Sequence, residues 1–238
     1  MDTDKDIFNR TTALFGEQAM ELLYGSRVAV FGVGGVGGYA TEVLARSGIG
    51  QIDIFDSDKV SVTNINRQLY ALTSTVGRYK VDVAKERIQD INPGCIVHEH
   101  KIFYLPENAD SISLEGYDYV VDCIDTVVAK VELISRCHRM DIPIISSMGA
   151  ANKLDPTAFK VTDISTTKMD PLAKVIRKRL RKLNIDHLKV VYSEEAPLKP
   201  IEGILTERIP ASNAFVPAAA GLIIGGEVVK DIIRKANG

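Results

Sequence analysis

The segment Arg27-Val-Ala-Val-Phe-Gly-Val-Gly-Gly-Val-Gly-Gly-Tyr-Ala40, followed by Ile52-Asp-Ile-Phe-Asp56, constrains the fold of this chain more than any other stretch. A short apolar run enters a cluster of glycines and leaves in a helical pattern, which reads as strand, tight turn and helix. Gly32, Gly34, Gly35 and Gly37 let the backbone turn sharply and approach a phosphate, and the helix N-terminus offers N–H groups to it. Asp56, at the end of the next strand, is placed to accept a hydrogen bond from a ribose hydroxyl. Taken alone, the pattern is a dinucleotide fingerprint that leaves NAD and ATP both open.

Strand and helix patterns then alternate. Val28 to Phe31, Ile52 to Phe55, Ile96 to His100, Tyr119 to Ile124 and Ile142 to Ser147 read as strands, with helices expected at about 36–47, 77–91 and 127–140. On the second of these helices Val81, Ala84, Ile88 and Ile91 share a face. Near-continuous apolar strands separated by helices have few ways to be buried other than a parallel sheet covered on both sides. We therefore expect an α/β, Rossmann-like, doubly wound and mainly parallel sheet, with a C-terminal extension of mixed strands and helices. Residues 1–150 would form the nucleotide-binding core, including an N-terminal helical segment from about Thr11 to Leu23. Residues 151–238 would complete the same domain, with strands at Phe159 to Ile164 and Lys189 to Tyr192, a helix at Pro171 to Leu183, a flexible loop at about 193–212 and a last helix.

Composition excludes several classes. A length of 238 residues with 45% hydrophobic and 25% charged residues suits one domain with a sizeable core. The net charge of −2 gives no global attraction to nucleic acid, so any RNA contact must be local. An acidic N-terminus argues against a secretory signal, and the run Ala214 to Gly226 is too short and too interrupted to span a bilayer, so a soluble cytoplasmic protein is expected. Cys95, Cys123 and Cys137 are scattered and odd in number, which points to a reducing compartment and to burial of Cys123 and Cys137 as small hydrophobes.

The segment Asp56-Ser-Asp58-Lys-Val-Ser-Val-Thr-Asn64-Ile-Asn-Arg67-Gln68, with Gly77-Arg-Tyr-Lys80, Val121-Asp-Cys-Ile-Asp125-Thr and Ile7-Phe-Asn-Arg10-Thr, resembles the E1-like activating-enzyme family that includes ThiF and MoeB. The resemblance implies ATP and Mg²⁺ as cofactors and activation of a carboxylate. It assigns Arg10, Arg67, Lys80 and Asp125 to catalysis, Asp125 also to the metal, and Asp58, Asn64 and Gln68 with the glycines and Asp56 to nucleotide binding. Asp58, Asn64 and Gln68 have a structural reading as well, and Asp125 could instead cap the helix beginning near Thr126. The family's matching arginine reaches across a homodimer to the other subunit's ATP, so Arg10 implies dimerisation. Charge supports this set: carboxylate and triphosphate are both anions, and cations must bring them together.

Many ThiF and MoeB types carry two Cys-x-x-Cys pairs for zinc. This chain has none, so no zinc is expected. Ile91-Asn-Pro93, Ser147-Met-Gly-Ala-Ala151, Leu154-Asp-Pro-Thr157, Val161-Thr-Asp-Ile164, Lys168-Met-Asp-Pro-Leu172 and Val191-Tyr-Ser-Glu-Glu195 resemble the tRNA threonylcarbamoyladenosine dehydratase branch. That branch activates the threonine carboxylate of the modified adenosine at tRNA position 37 and cyclises it by dehydration. The alternatives are adenylation of the C-terminal glycine of a ubiquitin-like sulfur carrier and, on the glycine turn alone, an NAD-dependent oxidoreductase. The resemblance leaves room for a sulfur-transfer partner protein. Lys174 to Lys182 form a basic amphipathic helix, with Leu172, Val175, Ile176, Leu180 and Leu183 on its apolar side, whose cations suit either RNA phosphates or plain solvation.

Overall fold

The computed structural model describes residues 7–201, 203–204 and 210–234. Two helices, α1 (Asn9–Phe15) and α2 (Glu17–Gly25), precede strand β1 (Arg27–Phe31). The expected single helix over 11–23 is thus two. Gly16 adopts φ +86°, a left-handed conformation that ends α1 and turns the chain into α2.

The core then alternates as expected: α3 (Gly37–Arg46), β2 (Gln51–Phe55), α4 (Lys80–Ile91), β3 (Ile96–His100), β4 (Tyr119–Asp122), α5 (Val127–Arg139) and β5 (Ile144–Ser147). β6 (Phe159–Asp163), α6 (Pro171–Arg181), β7 (Lys189–Ser193) and α7 (Val216–Arg234) follow. α4 starts three residues later than expected, because Gly77 has φ +87° and the chain stays extended to Tyr79. β4 ends at Asp122 and β5 begins at Ile144, so both strands are shorter than their apolar runs. Cys123 and Ile124 leave the ladder to form the wall of a cavity, and Ile142 and Pro143 belong to the turn after α5.

The seven strands form one sheet in the order β3-β2-β1-β4-β5-β7-β6, parallel except for β6, which runs antiparallel to β7. Chain order reverses between β1 and β4. β1 pairs with β2 on one side and with β4 on the other, so the helices that follow them leave on opposite faces. In an open α/β sheet that switch point opens a crevice beyond the carboxyl ends of the strands. On α4, Val81, Ala84 and Ile88 are buried and Ile91 half-buried, as their spacing required. On α6 the buried residues are Ala173, Ile176 and Leu180, while Val175 and Leu183 are exposed. The apolar stripe is narrower than the sequence pattern implied, and it leaves more of the helix facing water.

α7 lies against α3 because its glycines permit it. A Cβ at Gly221 would fall 2.2 Å from the Val36 carbonyl oxygen, and one at Gly225 would fall 2.6 Å from Val43 Cβ. This packing brings Pro217, at the start of α7, to within a Cβ-contact distance of the Gly35 backbone. Residue 202 and residues 205–209 of the expected flexible loop lie outside the described residues.

Candidate active site

Beyond the carboxyl ends of β1, β2 and β4 is a cavity of about 480 Å³, a size suited to a nucleotide. Its walls include Gly32, Gly34 and Gly35 from the turn, Asp56 and Asp58 after β2, Asn64, Arg67 and Gln68 from the following loop, Lys80, Cys123 and Asp125. Every nucleotide-site residue expected from sequence reaches this cavity except Gly37 and Arg10. Phe31, Phe55 and Tyr104 supply an aromatic wall, and Ala150, Ser212 and Pro217 close the side formed by the second half of the chain.

Gly37 works by packing rather than by facing the cavity. At this first residue of α3 an added Cβ would meet the Gly32 carbonyl oxygen at 1.8 Å, and Gly32 itself has φ +85° with the Cys123 carbonyl 2.8 Å from its own would-be Cβ. The turn is therefore tight because the segment just after β4, at Cys123, presses on it. Gly34 has only the Gln68 amide nearby, at 3.7 Å, which leaves its outer face open to a ligand. No side chain caps the first turn of α3, so its N–H dipoles point toward the cavity end of the helix. Gly37→Ala should destabilise the protein by about 3 kcal/mol or more, read from urea unfolding, because neither contacting group is a flexible side chain.

Asp56 anchors this turn. Its Oδ2 accepts the Val33 N–H at 3.0 Å and its Oδ1 accepts the Asp58 N–H at 2.9 Å. Burial pushes the Asp56 carboxyl above its ordinary value, against the pull of the Lys80 ammonium and these two backbone donors. Each oxygen retains a second lone-pair direction for a ribose hydroxyl.

Lys80 is the first residue of α4, at the positive end of the helix dipole, and only 5% exposed. A lysine there is unfavourable unless anions hold it. Its ammonium lies 2.6 Å from Asp58 Oδ2 and 3.8 Å from Asp56 Oδ2. Asp58 thus has a defined partner, and the Lys80 charge sits at the cavity wall beside two carboxylates that line the same cavity.

Arg67 is half-buried, with Nη1 donating to the Thr63 carbonyl at 3.1 Å and to Asn66 Oδ1 at 2.9 Å. Asn64 closes its own loop, its Oδ1 accepting the Ser61 N–H at 3.1 Å. Asp125 is exposed at the cavity wall and accepts from the Thr126 hydroxyl at 3.3 Å. It does not cap α5: Thr126 occupies the cap position and no side chain bonds the first turn. Arg10 is exposed on α1 and does not line the cavity of its own chain.

Two residues behind the wall were not singled out from sequence. Asp122 and Lys130 are completely buried, with Lys130 Nζ 2.8 Å from Asp122 Oδ2, 3.0 Å from Ser146 Oγ and 2.9 Å from the Ser147 carbonyl. The other Asp122 oxygen accepts the Ile124 N–H at 3.1 Å, fixing the backbone between Cys123 and Asp125. A signal existed, since Lys130 shares the buried stripe of α5 with Leu133, Ile134 and Cys137. Cys123 proves half-buried rather than core, with one side toward the cavity; burial raises its thiol to about 12, which keeps it protonated near neutral pH.

The charged lining comprises three carboxylates, Asp56, Asp58 and Asp125, against two cations, Arg67 and Lys80. With one more acid than base, these side chains alone do not neutralise a triphosphate. Asp125 offers the single carboxylate that Mg²⁺ commonly takes alongside nucleotide phosphates. Among the described residues there is no group of three or more acidic, His or Cys side chains poised for a metal, so a Mg²⁺ here would take most of its ligands from the phosphates and water.

The tRNA threonylcarbamoyladenosine dehydratase of Bacillus subtilis is 49% identical over 95% of this chain and 94% of its own length. The crystal structure of Escherichia coli tRNA N6-threonylcarbamoyladenosine dehydratase, TcdA, in complex with ATP superposes with a TM-score of 0.91 at 38% identity, over 100% of this chain and 98% of that one. The molybdopterin-synthase adenylyltransferase of Salmonella typhimurium is 35% identical over 62% of this chain and 59% of its own. A model of the ThiF family matches residues 8–235, nearly the whole of a chain whose glycine turn, Asp56, Arg67, Lys80 and Asp125 meet in one cavity, and the chain belongs to the ThiF family.

Proposed function

We propose that this protein uses ATP to activate the threonine carboxylate of N6-threonylcarbamoyladenosine at tRNA position 37 and cyclises it with net loss of water. The observation that carries this reading is the full-length likeness to the dehydratases, which extends through β6, α6 and β7. The likeness to the molybdopterin-synthase adenylyltransferase covers 62% of the chain.

In this reading a carboxylate oxygen attacks the α-phosphorus of ATP and pyrophosphate leaves. The carbamoyl nitrogen then attacks the activated carbonyl carbon, loses its proton and displaces AMP, so no protein thiol is required. Gly34 and Gly35 take phosphate oxygens on the backbone, Asp56 takes the ribose, and Arg67 and Lys80 offset the charge of two converging anions. Asn64 and Gln68 keep the loop carrying Arg67 against the glycine turn. Mg²⁺, held by Asp125 and the phosphates, would supply charge neutralisation that the lining lacks. The cavity's excess of carboxylates also favours a second cation source, and Arg10 supplies it in a homodimer if α1 reaches the partner's cavity. Residues 1–150 and 151–238 act as one domain in this scheme, since β6 and β7 extend the same sheet that bears the nucleotide turn. No step consumes sulfur, so a sulfur-transfer protein could dock without supplying chemistry. A tRNA substrate is consistent with an enzyme of the cytoplasm.

The test is incubation of purified protein with ATP, Mg²⁺ and tRNA bearing the linear modification, followed by nucleoside mass analysis. We expect the cyclic nucleoside together with AMP and pyrophosphate. Pyrophosphate exchange that responds to a sulfur-carrier protein and not to the tRNA would assign the carrier-activating reaction instead.

A further inference from the structure

The basic residues of α6 have no counter-charge of their own. Residues 171–182 contain six cations, Lys174, Arg177, Lys178, Arg179, Arg181 and Lys182, and no acid. Arg177 is accounted for, since its guanidinium donates to the Ile164 and Thr167 carbonyls at 3.2 and 3.0 Å. The other five are exposed, and none of them forms an ion pair among the described residues.

The other charged surface helices differ. On α4, Lys85 pairs with Glu99, Arg87 with Glu42, and Asp82 with Lys101. On α7, Glu227 and Asp231 take Lys189, Lys230 and Arg234. In a chain of net charge −2, α6 is therefore a local concentration of positive charge.

Spacing and position add to this. Lys174, Lys178 and Lys182 recur every four residues, so they form one row opposite the buried Ala173, Ile176 and Leu180. Like charges at that spacing repel one another unless an anion covers them. The helix dipole favours the cations of the last turn but gives no such benefit to Lys174. The helix is also hitched to the cavity rim: Asp170 accepts the Ala173 N–H through Oδ1 at 2.8 Å and the Gly149 N–H through Oδ2 at 3.0 Å, and Ala150 and Ala151 line the cavity. From that anchor α6 extends about 16 Å, a length comparable to a few successive phosphates of a nucleic-acid strand.

We infer that the Lys174-Lys178-Lys182 row, flanked by Arg179 and Arg181, is the surface that binds tRNA phosphates while the modified nucleotide occupies the cavity. This inference rests on the tRNA reading given above. Contacts to phosphates position a nucleic acid without reading its sequence, which suits an enzyme whose specificity is set by the modified nucleotide itself.

The experiment compares the full-length protein with its Lys174→Gln/Lys178→Gln/Lys182→Gln variant in tRNA affinity across a salt series, KM and kcat for modified tRNA, and ATP affinity. At 0.15 M salt we expect tRNA affinity to fall about 10–100-fold and the slope of log K against log[salt] to become shallower by about 2–3. KM for tRNA should rise, with kcat at saturating tRNA and ATP affinity retained. If the unaltered protein converts tRNA and the variant keeps the same affinity and salt slope, the inference is overturned while the function stands. If the unaltered protein neither binds nor converts tRNA, both fall. Loss of binding to polyglutamate with tRNA affinity unchanged would overturn it in favour of an acidic protein partner.

Discussion

Lys80→Met is expected to lower kcat for the cyclic nucleoside by about 10²–10³-fold, the loss that follows removal of one preorganised donor from a site where charge develops. Arg67→Ala and Asp125→Ala should fall in the same range, but Lys80 carries a second, separable signature. Burial already holds the Asp56 carboxyl above its ordinary value, and the Lys80 ammonium is the largest influence in the opposite direction. A folded-state value above the unfolded one means that ionised Asp56 costs stability once pH exceeds both, and that the cost is relieved as pH falls through the folded value. Removing Lys80 raises that value further. The acid limb of ATP binding, where Asp56 protonates, should therefore move to higher pH in Lys80→Met. Calorimetric titration of ATP across the acid range measures this, and a limb that stays in place would show that Lys80 does not act on Asp56. A carboxylate kept ionised at a cost to the fold is typical of a site arranged for a ligand.

The fold was legible because period and punctuation agree along residues 27–147: apolar runs are bounded by Gly32, Gly48 and Gly77, and the helices between them have one apolar face. It failed where a single backbone angle overrides the pattern. Gly16 breaks what hydrophobic spacing alone presents as one helix, and the apolar runs of β4 and β5 continue past the ladder because a cavity wall and a turn also need apolar residues.

In the candidate site, the spacing after the glycine turn pointed to Asp56 and the family resemblance to Arg67, Lys80 and Asp125, and all four line one cavity. The closing contribution of Pro217 was not legible, since it depends on how closely α7 approaches α3, a distance set by Gly221 and Gly225. Gly37 carried the right residue for a different reason, with steric closure against Gly32 taking the place of phosphate approach. Partner-dependent features are beyond one chain's geometry, and Arg10 on the exposed side of α1 is the example.

Lys130→Met is expected to destabilise the protein by about 3–5 kcal/mol, because it leaves Asp122 charged and unpaired at zero exposure. The Ser146 hydroxyl, 2.6 Å from Asp122 Oδ2, is the one donor left on that oxygen, and it cannot replace a cation. Asp122→Leu/Lys130→Met removes both charges and should recover a large part of the loss, since an apolar pair of similar volume avoids the desolvation of two ions. Recovery should stop short of the unaltered protein. The Ile124 N–H then loses its acceptor, which costs about 1–3 kcal/mol, and that same bond fixes the backbone next to Asp125. Stability and activity should consequently separate in the double variant: urea unfolding approaches the original midpoint while turnover stays depressed. If the double variant regained full turnover, Asp122 would be a purely structural partner of Lys130. Persistent loss of turnover in a well-folded double variant would make Asp122 a positioning residue, acting on the nucleotide site through the short segment from Cys123 to Asp125.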